Sequence, residues 1–232
     1  MCTSKEKPSV EQLVKVYDLL LGKGVNAHIL QQDILERGVL SDVAEAAVRG
    51  TLPTREEFRK LLKLADPRFK LLNTFSITVP DWYDHATRLD AFRARYEKEF
   101  YSFNSNITDK NFSKATITLV PGQRFTVKVF QITERVSSKD CLDHLRSENA
   151  KLLGAQGVSL AYEQGKEQLP VGRWAVSFDE REALWEDADG DHRVPYVYRF
   201  SDGGFEFRLG IFEDYWDDCH CLLSFCDLPA GE

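Results

Sequence analysis

The chain has 232 residues, a formal net charge of −7, 43% hydrophobic residues and 29% charged residues. This composition is typical of a folded globular protein and argues against a disordered polyelectrolyte or a uniformly basic nucleic-acid binder. No apolar run approaches the roughly 18 to 20 residues that a membrane span requires, so we expect no membrane association. The length fits one large domain or two modest ones.

The five cysteines are odd in number, and no apolar signal segment precedes them. We therefore expect reduced thiols and a cytoplasmic protein. Cys219, Cys221 and Cys226 lie close together beside His220, a spacing that suggests a zinc site. In an extended strand Cys219 and Cys221 point to one face and Cys226 to the other, so buried structural thiols are the favoured interpretation.

Residues 1–66 are predicted to form a small helical bundle. Four short apolar stripes follow residues that commonly cap helices, namely Ser9, Asn26, Ser41 and Thr54. Gln12 and Glu57 complete capping boxes with the first and the last of these. Glycines follow the first three stripes at positions 22, 38 and 50.

The helices within residues 26–50 have the spacing of a DNA-binding helix-turn-helix, so a helical DNA-binding regulator is one alternative. The helix in the position of a recognition helix, Ser41 to Arg49, has two acidic residues, Asp42 and Glu45, and only one basic residue, Arg49. A helix that enters the major groove normally brings Lys or Arg to the phosphates. A bundle for packing or protein interaction is therefore favoured, and nucleic acid is not the expected partner.

Residues 71–232 are predicted to form an α+β domain with a mainly antiparallel sheet. Alternating apolar residues indicate a strand over 75–79, an amphipathic helix is expected over 84–100, and Ser138 begins another helix. A hairpin is expected to pair residues 117–119 with 127–129 around a loop at 122–124. The glycine-rich stretch 154–157 lacks the residues of a phosphate-binding loop and predicts a helix cap or turn.

The last 60 residues are predicted to form an antiparallel β-meander. A hairpin with a four-residue loop at 201–204 would pair Phe200 with Phe205 and place every apolar residue of both strands on one face. The same register would place Arg199 opposite Glu206 as a cross-strand ion pair.

The negative charge is concentrated in the same segment. Residues 173–232 carry five basic and 15 acidic residues, whereas residues 1–172 have a small positive balance. The segment also holds 12 of the 27 aromatic residues. We assign most of these rings to the core and the carboxylates to the loops.

Two acidic loops, 186–192 and 213–218, are expected to meet at one end of that hairpin. The candidate site residues are Asp187, Asp189, Asp191, His192, Glu213, Asp214, Trp216, Asp217 and Asp218. Glu186 adds an eighth carboxylate, and crowded carboxylates are relieved by a hard cation or a basic partner. The first loop lacks the Gly and Glu of an EF-hand at the corresponding positions, so it does not predict one.

Three interpretations of these loops stay open. They are solvated turns whose Asp and Gly residues suit turn geometry, a site for a divalent cation or a basic protein partner, or a metal-dependent hydrolase. In the hydrolase, Asp217 or Asp218 would hold the metal and His192 or His220 would act as base. The favoured function is a binding or interaction protein rather than an enzyme, and it would use these two acidic loops.

The C-terminal part also carries a recurring pattern of short motifs. They are Leu169-Pro170, Gly172-x-Trp174, Ser177-Phe178-Asp179, Arg193-Val194-Pro195-Tyr196, Ser201-Asp202-Gly203, Leu209-Gly210-x-Phe212-Glu213, Trp216-Asp217-Asp218 and Cys221-Leu222-Leu223. Together with residues 107–112, this pattern resembles uncharacterised proteins from uncultured, small-genome bacteria over residues 73–227. The resemblance implies a bacterial source and a compact α+β domain, and it implies no catalytic residue.

Overall fold

A computed structural model describes residues 9–54, 57, 58, 62 and 66–228. The chain divides into two compact units, Met1–Leu64 and Ala65–Glu232. Within the described residues, no helix combines the length and the apolar character needed to cross a bilayer.

The described part of the N-terminal unit is helical. Helix α1 (Val10–Gly22) begins with the predicted capping box, in which the Ser9 hydroxyl accepts from the Gln12 N–H and the Gln12 side chain accepts from the Ser9 N–H. The Asn26 side chain caps α2 (Ala27–Ile29), which continues as a π-helical turn over Leu30–Leu35. Local capping chemistry therefore set both helix starts as the sequence predicted.

Helix α3 (Val39–Arg49) starts earlier than predicted. Gly38, and not Ser41, occupies the N-cap position, with a φ of 71°. The left-handed backbone of Gly38 turns the chain after the π-helical segment, and its carbonyl accepts from the Asp42 N–H. Arg49 forms an ion pair with Glu45 in the same helix. Thr54 and Glu57 make the predicted capping contacts, but most of the fourth helix lies outside the described residues.

The C-terminal unit has the predicted α+β fold with a mainly antiparallel sheet. Its principal strands are β1 (Phe69–Thr78), β2 (Phe100–Phe103), β3 (Arg124–Ile132), β5 (Trp174–Val176), β7 (His192–Arg199), β8 (Phe205–Ile211) and β10 (His220–Asp227). They are ordered β1-β3-β10-β5-β7-β8-β2, and β6 (Trp185–Glu186) pairs with β7 at the side of this path. A separate two-stranded sheet joins β4 (Val136–Ser137) to β9 (Tyr215–Trp216).

Strands β5, β7 and β8 form the meander, whereas the final strand does not extend it. Strand β10 crosses back to pair parallel to β5 and antiparallel to β3. Strand β2 also pairs parallel to β8. The last strand therefore lies in the interior of the sheet, which explains its unbroken burial from His220 to Phe225.

The sheet is covered on both faces. One face packs against α4 (Arg88–Tyr96) and α6 (Gly154–Gly165), and its core includes Phe92, Tyr162 and Leu223. The other face packs against α5 (Ser138–Ser147), with Leu145 and Leu222 in its core. Both sets of alternating side chains are therefore buried in the central strands.

Helix α4 begins later than the predicted span of 84–100. The Asp109 carboxylate, from a distant loop, accepts from the Leu89 N–H at 2.8 Å and from the Asp90 N–H at 3.0 Å. Asp109 therefore caps the helix through a tertiary contact and determines where it starts. The local sequence around residue 88 does not encode this contact. The helix is amphipathic as predicted, because Leu89 and Phe92 are fully buried and Tyr96 on the same face is half-buried.

The partner of β3 differs from the predicted one. Residues 117–119 form no strand, and β1 pairs with β3 instead, with Phe75 opposite Val127 and Ile77 opposite Phe125. The predicted hairpin at 117–129 is therefore wrong. Leu119 is buried, as the apolar alternation of 117–119 predicts. The alternation does not specify which strand pairs with β3.

The register of the β7–β8 hairpin is one residue away from the predicted one. Arg199 lies opposite Phe205, and Phe200 lies opposite Gly204 across a three-residue loop, 201–203. Gly203 takes a φ of 87°, the left-handed residue that such loops require. The predicted Arg199–Glu206 pair is accordingly absent from this hairpin, since Arg199 bonds Glu167 and Glu206 bonds Arg208.

Helix α6 packs against the sheet, whereas the sequence predicts only a cap or turn at its start. All residues from Gly154 to Tyr162 are buried. A Cβ atom on Gly157 would lie 2.7 Å from the Leu153 Cβ and 2.8 Å from the Phe225 ring. Glycine at this position therefore lets the helix backbone approach β10.

We expect Gly157→Ala to destabilise the C-terminal unit by about 1–3 kcal/mol, because the added methyl group overpacks this contact. Urea unfolding followed by tryptophan fluorescence measures the change, since all four Trp residues belong to this unit. The control is Gly22→Ala in the N-terminal unit, where the added Cβ meets no atom within 4 Å beyond its chain neighbours and its own helix backbone; it should leave the fluorescence transition of the C-terminal unit unchanged. Equal stability of the Gly157 variant and the wild type would contradict the close packing.

Candidate functional site

The first acidic loop is a tight turn between β6 and β7. Glu186 pairs with His192 across the two strands. The Asp187 carboxylate accepts from the backbone N–H groups of Asp189 at 2.9 Å and Asp191 at 3.1 Å. Asp187 therefore shapes the loop from within, as Asp commonly does in turns.

The second loop leaves β8 and meets the first loop at His192. The Glu213 carboxylate accepts from the His192 backbone N–H at 3.2 Å and lies 3.0 Å from its Nδ1. The Phe212 N–H donates to the His192 carbonyl at 2.8 Å. The two loops are thus bonded into one surface, which we call the acidic edge, residues 186–192 and 213–218.

Arginines within the unit neutralise part of this edge. Arg193 binds Asp187 through its guanidinium and lies 3.6 Å from Asp191, while Arg181 lies 3.0 Å from Glu213. The Arg193 hydrogen bond lowers the pKa of Asp187. Burial works to raise the pKa of Glu213, but the hydrogen bonds from His192 and Arg181 outweigh it and leave the pKa below its ordinary value.

The two aromatic residues of the second loop have opposite surroundings. Trp216 is buried, and its Nε1–H donates to the Ser138 hydroxyl at 2.8 Å. Trp216, one of the candidate site residues, is therefore part of the core. Tyr215 is 58% exposed, with the Arg135 guanidinium 4.1 Å from the centre of its ring.

Asp217, Asp218 and Cys219 form an exposed group whose potential ligand atoms lie within 4.8 Å of one another. Asp217 is already engaged, because its carboxylate accepts from the Cys219 N–H and lies 2.8 Å from the His220 Nδ1. Burial works to raise its pKa, and these bonds from Cys219 and His220 lower it overall. Asp217 therefore has a structural role in the turn, and it would keep that role if it also bound a metal ion.

The cysteines of this region lie in different environments. Cys221 is buried in the core, and this burial raises its pKa to about 12, as expected for a structural thiol. Cys219 is exposed, which corrects the expectation that it shares the buried face of β10. It precedes the strand, so the alternation of the strand does not extend to it. Cys141, Cys219, Cys221 and Cys226 are free thiols.

Three carboxylates of the acidic edge carry no cationic partner within the described part of the chain. They are Asp189, Asp214 and Asp218, all exposed. Glu186 has only a marginal contact, 4.0 Å from the His192 Nε2. The sequence indicates the carboxylates as candidate residues but not Arg181 and Arg193. Arg193 was detectable, because it directly follows the first loop, whereas Arg181 reaches Glu213 only through the fold.

Asp179 is a buried carboxyl that the sequence analysis did not single out as functional. Its oxygens accept from the Thr116 N–H at 3.2 Å and the Glu180 N–H at 2.8 Å. Its Cβ would lie 3.2 Å from a Cβ on Gly154, the first residue of α6. Burial raises its pKa to about 6 despite these hydrogen bonds. Asp179 therefore lies between the segment around Thr116 and the start of α6, which indicates a structural role.

The chain matches no known protein family, no curated protein and no solved structure.

We expect Glu213→Gln to lower stability by about 1 kcal/mol, since it removes the charge that Arg181 and His192 bind at a partly solvent-screened position. Because folding lowers the pKa of Glu213, its contribution is present above its unfolded pKa and is lost as the pH falls through the folded pKa. Thermal melting from pH 7 down to pH 3 measures this loss. Asp214→Asn, an adjacent unpaired carboxylate, is the control and should melt like the wild type.

Asp179 should give the opposite pH dependence. Its pKa is raised on folding from about 3.8 to about 6, so its contribution is complete below pH 4 and is lost as the pH rises towards 6. Relative to Asp179→Asn, the wild type should lose up to about 3 kcal/mol between these values. Urea unfolding of both proteins at several pH values tests this, and parallel stability profiles would contradict it.

Proposed function

We propose that this is a cytoplasmic binding protein that uses its acidic edge to take up a basic segment of a partner protein. The observation that carries the proposal is the set of exposed carboxylates without a cationic partner in the described chain, Asp189, Asp214 and Asp218. They project from two loops that Glu213 and His192 join. Lys and Arg side chains of a partner would supply the missing positive charges.

The distribution of charge within the edge supports a partner of moderate affinity. Arg181 and Arg193 already satisfy the carboxylates that shape the loops, Glu213 and Asp187. The carboxylates left over are peripheral and solvated, so each new ion pair contributes little. Such pairs chiefly accelerate association and set specificity, and they weaken as salt is added.

An exposed aromatic ring beside these carboxylates adds an apolar contact. Tyr215 directly follows Asp214 and already carries one guanidinium, that of Arg135, on its ring. A cationic side chain of a partner that bound here would lie near both the Asp214 carboxylate and the Tyr215 hydroxyl. The free thiols of the described cysteines support a reducing compartment.

A divalent cation is the second candidate ligand, favoured by the grouping of Asp217, Asp218 and Cys219. An ion held there, with His220 hydrogen-bonded to Asp217, is also what a metal-dependent hydrolase would require. This candidate differs from the first because it needs Asp218 together with Cys219, whereas a basic partner does not need the thiol.

The decisive experiment measures binding of a fluorescein-labelled, lysine-rich peptide by anisotropy at low salt. We expect the variant Asp189→Asn/Asp214→Asn/Asp218→Asn to bind about tenfold more weakly, since three exposed ion pairs are lost. The control, Glu11→Gln/Asp18→Asn/Asp42→Asn, makes the same change in net charge, from −7 to −4, on the N-terminal unit. It should bind within about twofold of the wild type.

Equal weakening in both variants, or no binding by the wild type, would contradict the proposal. Preference for duplex DNA over the peptide would instead favour the helical regulator. Melting with Ca²⁺, Mn²⁺ or Zn²⁺ separates the second candidate, because saturable stabilisation that Asp218→Asn and Cys219→Ser both abolish would indicate a cation site.

A further inference from the structure

A cavity of about 230 Å³ opens on the C-terminal unit beside the first acidic loop. Its lining is formed by Asn104, Asn106, Trp185, Asp187, Arg193 and Leu209. Only Asp187 belongs to the candidate residues that the sequence indicated, and none of the unpaired carboxylates of the acidic edge lines it.

Strand pairing builds the walls of the cavity. The pairing of β6 with β7 sets Trp185 opposite Arg193. On the other side, the Asn104 N–H donates to the Phe207 carbonyl at 2.9 Å, which brings the segment after β2 alongside the part of β8 that contains Leu209. Regular strands therefore position three of the six lining residues, Trp185, Arg193 and Leu209, as a preformed site requires.

The apolar part of the lining rests on the protein core. Trp185 and Leu209 both pack against a buried cluster of Leu89, Phe112 and Ala155. This support fixes the indole ring and leaves it partly exposed. A supported aromatic ring offers a flat apolar surface at a small entropic cost.

The polar part of the lining is neutral and retains unused hydrogen-bonding groups. Arg193 binds Asp187 through its Nε and Nη2 atoms, and in the described chain no protein group bonds its Nη1. Asn104 accepts the Asn106 N–H at 2.9 Å, while the Asn106 side-chain amide has no protein partner among the described residues. The Trp185 indole N–H likewise has no protein acceptor there.

We propose that this cavity binds a neutral monosaccharide. A sugar ring presents an apolar C–H face that suits the Trp185 indole, together with hydroxyl groups that both donate and accept hydrogen bonds. Asn amides, a carboxylate and a guanidinium with fixed geometry match such hydroxyls. The volume is below the roughly 300 Å³ at which sites for drug-sized ligands begin, and it suits a single ring.

The charge of the lining disfavours ionic ligands. An anion would have to compete with Asp187 for Arg193, and a cation would have to compete with Arg193 for Asp187. A neutral ligand leaves this ion pair intact and bonds only to its unused atoms. Neutral polyhydroxylated compounds are therefore the class that the lining fits best.

Titration calorimetry of the full chain tests the proposal with D-glucose, D-galactose, D-mannose and N-acetyl-D-glucosamine. Each sugar is added up to about 10 mM, above the millimolar dissociation constants that small neutral ligands reach. We expect at least one sugar to bind saturably and Asn106→Ala to weaken it about five- to tenfold. Ser105→Ala is the matched control, because Ser105 lies between the two asparagines but does not line the cavity, and it should bind like the wild type.

Binding should also quench tryptophan fluorescence in the wild type, and Trp185→Phe should lose that signal while calorimetry still detects the sugar. Saturable binding of phosphate or acetate in place of every sugar would overturn the proposal, as would no sugar binding or binding that Asn106→Ala leaves unchanged. The variant Asp189→Asn/Asp214→Asn/Asp218→Asn should bind sugar normally, so failure of the acidic-edge proposal remains distinguishable.

Discussion

The close approach of helix α6 to the sheet is the packing constraint on which the C-terminal unit depends. Gly157 permits the helix backbone to approach Phe225 of β10, and the Phe178 carbonyl accepts from the Gly154 N–H at the start of the same helix. With α6 seated on one face and α5 on the other, the central strands are buried on both sides. The acidic loops and the cavity lie beside strands β7 and β8 of this sheet.

The sites considered above share one physical theme, which is internal compensation of charge. Arg193 neutralises Asp187 and Arg181 neutralises Glu213, so the carboxylates nearest the fold are structural. Their neutralisation makes the cavity lining neutral and leaves only peripheral carboxylates for a partner. In the folded unit, the acidic edge therefore presents few carboxylates without a cationic partner among the described residues, namely Asp189, Asp214 and Asp218.

Features that depend on a few neighbouring residues were predictable. The capping box of Ser9 and Gln12, the cap by Asn26 and the start of α5 at Ser138 all follow from local patterns. The errors arose where a distant residue decided the outcome. Asp109 moved the start of α4, and β1 replaced residues 117–119 beside β3.

The sequence by itself determined the helical character of the N-terminal segment, the α+β class and the concentration of acidic residues in two loops, because composition, period and capping are local properties. The tertiary structure alone decided the β7–β8 register, the burial of Trp216 and the arginine partners of the loop carboxylates. Apolar alternation fixes register only when one face of a sheet is solvent-exposed. Here β7 has buried residues on both of its faces, so alternation alone did not select the register, and the three-residue loop with the left-handed Gly203 accompanies the observed one.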